Sequence, residues 1–227
     1  MKPNTLSPET LEAQKKAAAL HALSFIKPGC ILGVGTGSTI NYFIEALASP
    51  LIKGKIEMVI SSSSASTLKL QALGIPVEPL NQTARIDLYV DGADEVTPQK
   101  TMIKGGGAAL TGEKILAAVA SQFICIVDSG KVVDVLGKFP LPIEVIPMAR
   151  SFVARALVKL GGHPEYRVGV VTEYGNVMLD VQGLSMLDPM ALDQTLNQIP
   201  GIVTHGIFAA QKATQVIVGG PEGVWVF

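Results

Sequence analysis

Apolar residues in this chain fall into short unbroken runs, separated by stretches with helical spacing, and the alternation repeats. Cys30-Ile31-Leu32-Gly33-Val34 is one such run, and Lys55–Ser61, Ile75–Glu78, Ile86–Val90 and Gln122–Asp128 have the same strand-like character. Between them, helices are predicted at Ile40–Ala48, Ser64–Leu73 and within Gly107–Ser121. Runs without polar alternation predict strands buried on both faces. Strands that alternate with helices predict a parallel sheet covered on both sides. A helix precedes the first strand: Ser7 can cap it and Pro8 suits its first position, where a missing N–H costs nothing. Leu11, Ala18, Ala22 and Phe25 share one face of it, and Lys27-Pro28-Gly29 ends it.

The texture changes after about Val133. Leu141–Pro147 carries Pro142 and Pro147, and a helix is predicted over Ala149–Leu160. Two β-rich runs, Tyr166–Thr172 and Val177–Val181, meet at the turn Tyr174-Gly175-Asn176, which predicts a hairpin. A helix near Pro189–Gln198 and a β pair, Gln215–Val218 with Val224–Phe227, close the chain. The expected division is a main domain from residues 1–133 with 206–227, and a small α+β domain at 134–205. The C-terminal strands return to the first unit.

Composition narrows the function classes. With 227 residues, 48% apolar, the chain can bury a sizeable core, and a formal net charge of -1 offers no electrostatic footing for nucleic acid or an anionic membrane. Cys30 and Cys125 are expected to be reduced and inert, which suits the cytoplasm. The opening MKPNTLSPETLEAQKK has no apolar leader core, and no run approaches the ~18 apolar residues of a membrane span.

Four segments carry candidate chemistry. Gly33-Val34-Gly35-Thr36-Gly37-Ser38-Thr39 joins a strand to a helix, where tight glycine turns and free N–H groups suit a phosphate. The dinucleotide fingerprint would need glycine at position 38, and a methyltransferase loop an acid at position 32; serine and Leu32 stand there. Asp91-Gly92-Ala93-Asp94-Glu95 follows a buried strand, where ligands of open α/β sheets bind. Its acids suit proton transfer, an Mg²⁺ site or a capped turn. In Lys104-Gly105-Gly106-Gly107, consecutive glycines beside a cation form a nest for an oxyanion. Thr111 is positioned to cap a helix with Glu113 in its first turn, either as a base or as a dipole partner. Asp128-Ser129-Gly130-Lys131 puts a lysine at a strand end, as a phosphate contact or a surface residue. His21, His163 and His205 have no metal-ligand spacing, and Trp225 stands alone near the end.

Taken together, these segments resemble the type A ribose-5-phosphate isomerases. The matching words are GVGTGST (33–39), DGADE (91–95), IKGGGAALTGEK (103–114), DSGK (128–131), LPIEVIPMA (141–149) and IPGIVTHGIF (199–208), in family order across most of the chain. Gly112 stands where the family usually has arginine, Ser64 where it often has aspartate, and Glu173-Tyr174-Gly175 where an aspartate-led turn is common. The resemblance implies a Rossmann-like sheet with helices on both faces and a small ferredoxin-like domain. It also implies a homodimer or homotetramer, and activity on a sugar phosphate without cofactor or metal.

It implies Glu113 as the base, with Asp91, Asp94 and Lys104 around the reacting carbons. Thr36, Gly37, Ser38, Thr39, Gly92, Ala93, Gly105, Gly106, Gly107, Lys131 and possibly Lys15 are implied to contact the substrate. Isomerisation through an enediolate needs a carboxylate for the carbon-bound proton and a second group for O1 and O2. For that second role Asp91 is expected, with Asp94 in support. A sugar-phosphate sensor would need no base and would carry a DNA-binding segment, but no basic helix-turn-helix is present. A nucleotide-dependent transferase fits the glycine spacing poorly.

Overall fold

The structure, a computed structural model, describes residues 7–227. The reading of the opening residues as no leader falls partly outside this range. In chain order the first half forms α1 (Pro8–Ala22), β1 (Cys30–Val34), α2 (Ser38–Leu47), α3 (Pro50–Lys53), β2 (Ile56–Ser61), α4 (Ser64–Ala72), β3 (Leu88–Asp91), β4 (Glu95–Val96), β5 (Met102–Ile103), α5 (Leu110–Val119) and β6 (Phe123–Asp128). The second half forms β7 (Leu141–Val145), α6 (Arg150–Lys159), β8 (His163–Tyr166), β9 (Val177–Gln182), α7 (Pro189–Asn197), β10 (Ile202–His205), β11 (Ile207–Phe208), β12 (Gln215–Gly220) and β13 (Gly223–Val226).

The main sheet runs β13-β12-β6-β3-β1-β2, parallel throughout except for the antiparallel edge strand β13. Successive side chains of its strands serve opposite faces. Leu32, Val34, Leu88 and Val90 meet Ala18 and Ala22 of α1 and Phe43 and Leu47 of α2 on one side. Ile31, Tyr89, Cys125 and Val127 meet Leu116 of α5, Val96, Met102 and Phe208 on the other. This is the doubly wound arrangement. β1 and β3 are neighbours, so the strand order reverses between them and a crevice opens above their carboxyl ends. Among the described residues, no helix is long and apolar enough to cross a membrane.

A second sheet, β10-β7-β9-β8, is antiparallel and carries α6 and α7, giving the order of a split β-α-β unit. Its core joins Leu141, Ile143, Val153, Leu157 and Leu179. Three two-residue strands, in the order β11-β5-β4, form a small third sheet whose Val96, Met102 and Phe208 pack against the main one. After β11 the chain returns through β12, which lies parallel to β6.

Two expected strands differ. Ile75–Glu78 forms none; its link to β2 is the Glu78 N–H donated to Val59 O at 2.9 Å. Pro76 and Pro79 lack the N–H that a ladder needs. The expected strand Tyr166–Thr172 begins earlier, at His163, and ends at Tyr166. Gly169 has φ +77°, which breaks extension, while the turn at Tyr174-Gly175-Asn176 is closed by Thr172 and Asn176.

Candidate active site

The loop after β1 is shaped by a close approach. A Cβ on Gly35 would lie 2.0 Å from the Asp91 carboxyl carbon, so only glycine lets the loop cross that carboxylate. The Thr36 N–H then donates to Asp91 Oδ1 at 3.0 Å, and Thr36 Oγ1 shares hydrogen bonds with Ser62 (2.8 Å) and Ser63 (2.7 Å). Gly37, with φ +137°, is the N-cap of α2 and provides no side-chain cap, so the first N–H groups of that helix are free for a ligand.

Asp91 closes β3 and is fully buried. Its Oδ1 accepts from Thr36 and from the Gly92 N–H at 2.7 Å; its Oδ2 accepts from the Tyr89 hydroxyl and from Lys104 Nζ at 2.8 Å. Lys104 Nζ also donates to Gly92 O and stands 3.1 Å from Glu113 Oε2. Burial works against the Lys104 charge, but Asp91 and Glu113 outweigh it and hold the ammonium above its ordinary pKa. Glu113 lies in the first turn of α5 and is 3% exposed. Its Oε2 forms an ion pair without the alignment of a hydrogen bond, so it is a buried oxygen with no hydrogen-bond partner. Burial pushes the Glu113 carboxyl well above the usual carboxylate range, Asp91 pushes the same way, and Lys104 pulls back only in part.

Thr111, expected as the cap of α5, does not cap it. Ala109 occupies that position, and the Thr111 hydroxyl donates to the buried Glu144 on β7. Glu144 also accepts from Thr172 at 2.6 Å and Asn176 at 2.8 Å, tying α5 to the second sheet. Asp94 is half-buried and accepts the Gly106 N–H at 2.8 Å on Oδ2. Glu95 turns away from the site: its carboxylate accepts the N–H of Gly137 (2.6 Å) and of Phe139 (2.7 Å), fixing the strap that leads to β7.

A cleft of about 110 Å³ lies where these loops meet. Its walls include Thr36–Thr39, Gly92–Asp94, Lys104–Gly107, Glu113 and Lys131, together with Ile40. Of the expected residues, Asp91 and Lys15 are absent from the walls. Asp91 lies behind them with both oxygens taken. Lys15 on α1 pairs with Glu12 at 2.7 Å. Lys131 rides on the single turn Ser129–Lys131, held by Asp128 Oδ1 and by Gln14 of α1. A larger hollow of about 390 Å³, bordered by Thr97, Asp134, Met186 and Lys212, holds none of the expected residues. Gly112 faces away from the cleft: a Cβ there would meet Ser62 O at 2.3 Å, so its absence lets α5 lie on the β2–α4 junction. Sequence reasoning passed over Tyr89, inside the apolar strand run Ile86–Val90, and Glu144, inside the segment Leu141–Pro147 that is noted for its prolines.

Comparison with known proteins agrees with this geometry. The family described as ribose 5-phosphate isomerase A (phosphoriboisomerase A) matches residues 58–223. A ribose 5 phosphate isomerase A from Neisseria gonorrhoeae is similar at 44% identity and TM-score 0.92, covering 96% of this chain and 98% of that one. A D-ribose-5-phosphate isomerase solved in complex with phospho-erythronic acid is similar at 42% identity and TM-score 0.91, over 96% and 98% of the two chains. The ribose 5-phosphate isomerase A of Methanocaldococcus jannaschii follows at 37% and 0.88, over 94% and 97%. With a family match over most of its length and near-complete structural correspondence, this chain belongs to the ribose 5-phosphate isomerase A family.

Proposed function

We propose that the cleft interconverts D-ribose 5-phosphate and D-ribulose 5-phosphate through an enediolate, with Glu113 as the proton carrier. The observation that carries this reading is the Glu113 carboxylate itself: buried, raised in pKa, lining the cleft, and paired with Lys104 as its one charged partner among the described residues. A carboxylate poised nearer neutrality than usual is a better base at physiological pH. It takes the proton from C2 and returns it to C1, while the O2 hydroxyl proton passes to O1.

The expected division between the two aspartates changes. Asp91 accepts four donors and has no face on the cleft, so we assign it to holding Lys104 and the Thr36 loop. Asp94 lines the cleft, and its Oδ1 accepts from no protein group among the described residues; we assign it the exchange of protons at O1, O2 and the ring oxygen. Lys104 and the glycine amides donate to the developing oxyanion. The start of α2 and Lys131 hold the phosphate, whose binding orients the reacting carbons. Among the described residues no three His, Cys, Asp or Glu side chains come together as a metal-binding group, and we read the reaction as needing no metal or cofactor. The reaction places the enzyme in pentose phosphate metabolism. We further read the chain as cytoplasmic, from its two buried free cysteines, and as a homodimer or homotetramer, from the family resemblance.

The test is formation of ribulose 5-phosphate from ribose 5-phosphate by the purified protein with excess chelator. Turnover is expected. Loss of turnover that one divalent ion restores would contradict the cofactor-free reading, and no turnover under any condition would contradict the function.

A further inference from the structure

Between β8 and β9 a side chain reaches out of the second sheet to the glycine nest of the first. Arg167 follows β8 directly, and its own N–H donates to Met178 O at 3.0 Å, extending the ladder by one rung. Its guanidinium grips Asp180 on β9 with two nitrogens, Nε at 2.8 Å and Nη2 more closely. Such a two-point grip fixes the plane of the guanidinium. The remaining nitrogen, Nη1, donates to Gly106 O at 3.0 Å.

That carbonyl belongs to the same peptide unit as the Gly107 N–H. The described chain has no cis peptide, and in a trans peptide N–H and C=O point in opposite directions. The Gly106 N–H is already committed to Asp94, while the Gly107 N–H donates to no protein group among the described residues. Glycine backbone on both sides of this peptide leaves its rotation unrestrained by side chains. We propose that Arg167, fixed by Asp180, is a positioning residue: it anchors the Gly106 carbonyl outside the cleft and so aims the Gly107 N–H at the oxyanion. This inference rests on the isomerase reading above.

An aimed donor that acts on developing charge supports turnover more than ground-state binding. Loss of a whole oxyanion donor costs about 10²–10³-fold; a donor left free to rotate is lost in part. Arg167→Met should therefore lower kcat by about 10–100-fold and change KM for ribose 5-phosphate by less than about threefold. Affinity for phospho-erythronic acid, whose carboxylate stands in for the enediolate oxygens, should fall in step with kcat. Asp180→Asn, which keeps shape and releases the grip, should show the same split more weakly, and Arg167→Lys should fall between Arg167→Met and the parent. Circular dichroism and melting temperature identify a variant that fails to fold, and Asp180→Asn then decides. An unchanged kcat in a folded variant, or equal loss in kcat and in substrate affinity, would overturn the positioning role while the parent enzyme still turns over. A parent protein without turnover would overturn the isomerase reading and this inference together.

Discussion

Three acids within five residues have three different fates. Asp91 is a buried anchor, Asp94 faces the cleft, and Glu95 holds a strap. Their spacing along the chain is visible in the sequence, but the direction of each side chain is set by the sheet and by the turn at Gly92. Asp91 was expected at the reacting carbons. Its carboxylate instead lies behind the cleft wall, because a strand-end residue can point behind the cleft as easily as into it, and its reassignment to an anchoring role is our proposal. Glu113 was legible as an acid next to the glycine nest, and its buried setting gives a pH signature. Its pKa lies above the ordinary range, and the proposed mechanism needs the carboxylate. Activity should therefore be lost, as pH falls, at a higher pH than the ~4.3 of an unperturbed glutamate. A kcat/KM profile whose acid limb sits at that ordinary value would contradict the raised pKa. The same shift has a stability consequence. A carboxyl whose folded pKa is raised favours folding while protonated, and that contribution is lost as pH rises through the shifted value. Glu113→Gln removes the buried charge, so at pH 8 its melting temperature should match or exceed the parent's. A clear drop would mean that the Lys104 ion pair is a net stabiliser of the fold.

The longer elements were visible in their periodicity, and the short ones were not. β1, β2, β6, α4, α7 and the final β pair fall within a few residues of expectation: the strands are apolar runs, and the two helices begin at the residues Ser64 and Pro189 where they were expected to. β4, β5 and β11 are two residues each, too short for any period to show, and β10 lay within a matched motif without a strand signal of its own. These small pieces matter: β5 and β11 place Lys104, whose N–H donates to Gly206 O at 2.9 Å. At this scale Glu95 joins β4 to the strap at Gly137–Phe139. Glu95→Gln puts an NH₂ group where an acceptor is needed, and loss of one charged hydrogen bond costs about 1.5–3 kcal/mol. Chemical denaturation should show a loss of that size with kcat of the folded enzyme nearly unchanged; a large kcat loss at full stability would give Glu95 a chemical role. The single turn carrying Lys131 makes a complementary prediction. Lys131→Ala should impair turnover of ribose 5-phosphate strongly and any residual turnover of unphosphorylated ribose much less. Equal loss on both sugars would move Lys131 from the phosphate to the reacting carbons.

Over the whole molecule, the site forms where the doubly wound sheet reverses its strand order and a second sheet leans over the opening. The four chemical motifs were readable one by one; three of them converge through the adjacency of β1, β3 and β6, and the Lys104 motif joins them through β5 of the third sheet. What the second sheet adds was not readable. Arg167 meets Gly106 and Glu144 meets Thr111 across long stretches of chain, and no local pattern marks such partners. All scales meet in one proton, the one that we propose Glu113 moves between C2 and C1. The most direct measurement follows ribose 5-phosphate in D₂O by NMR, with the parent and Glu113→Gln side by side, recording turnover and exchange of the C2 hydrogen together. Removal of a general base costs roughly 10²–10⁴-fold, so both rates should fall by at least about 10²-fold in the variant, while substrate still binds through the phosphate contacts. Near-normal turnover or exchange in a folded Glu113→Gln enzyme would contradict the account and leave Glu113 a helix-end residue.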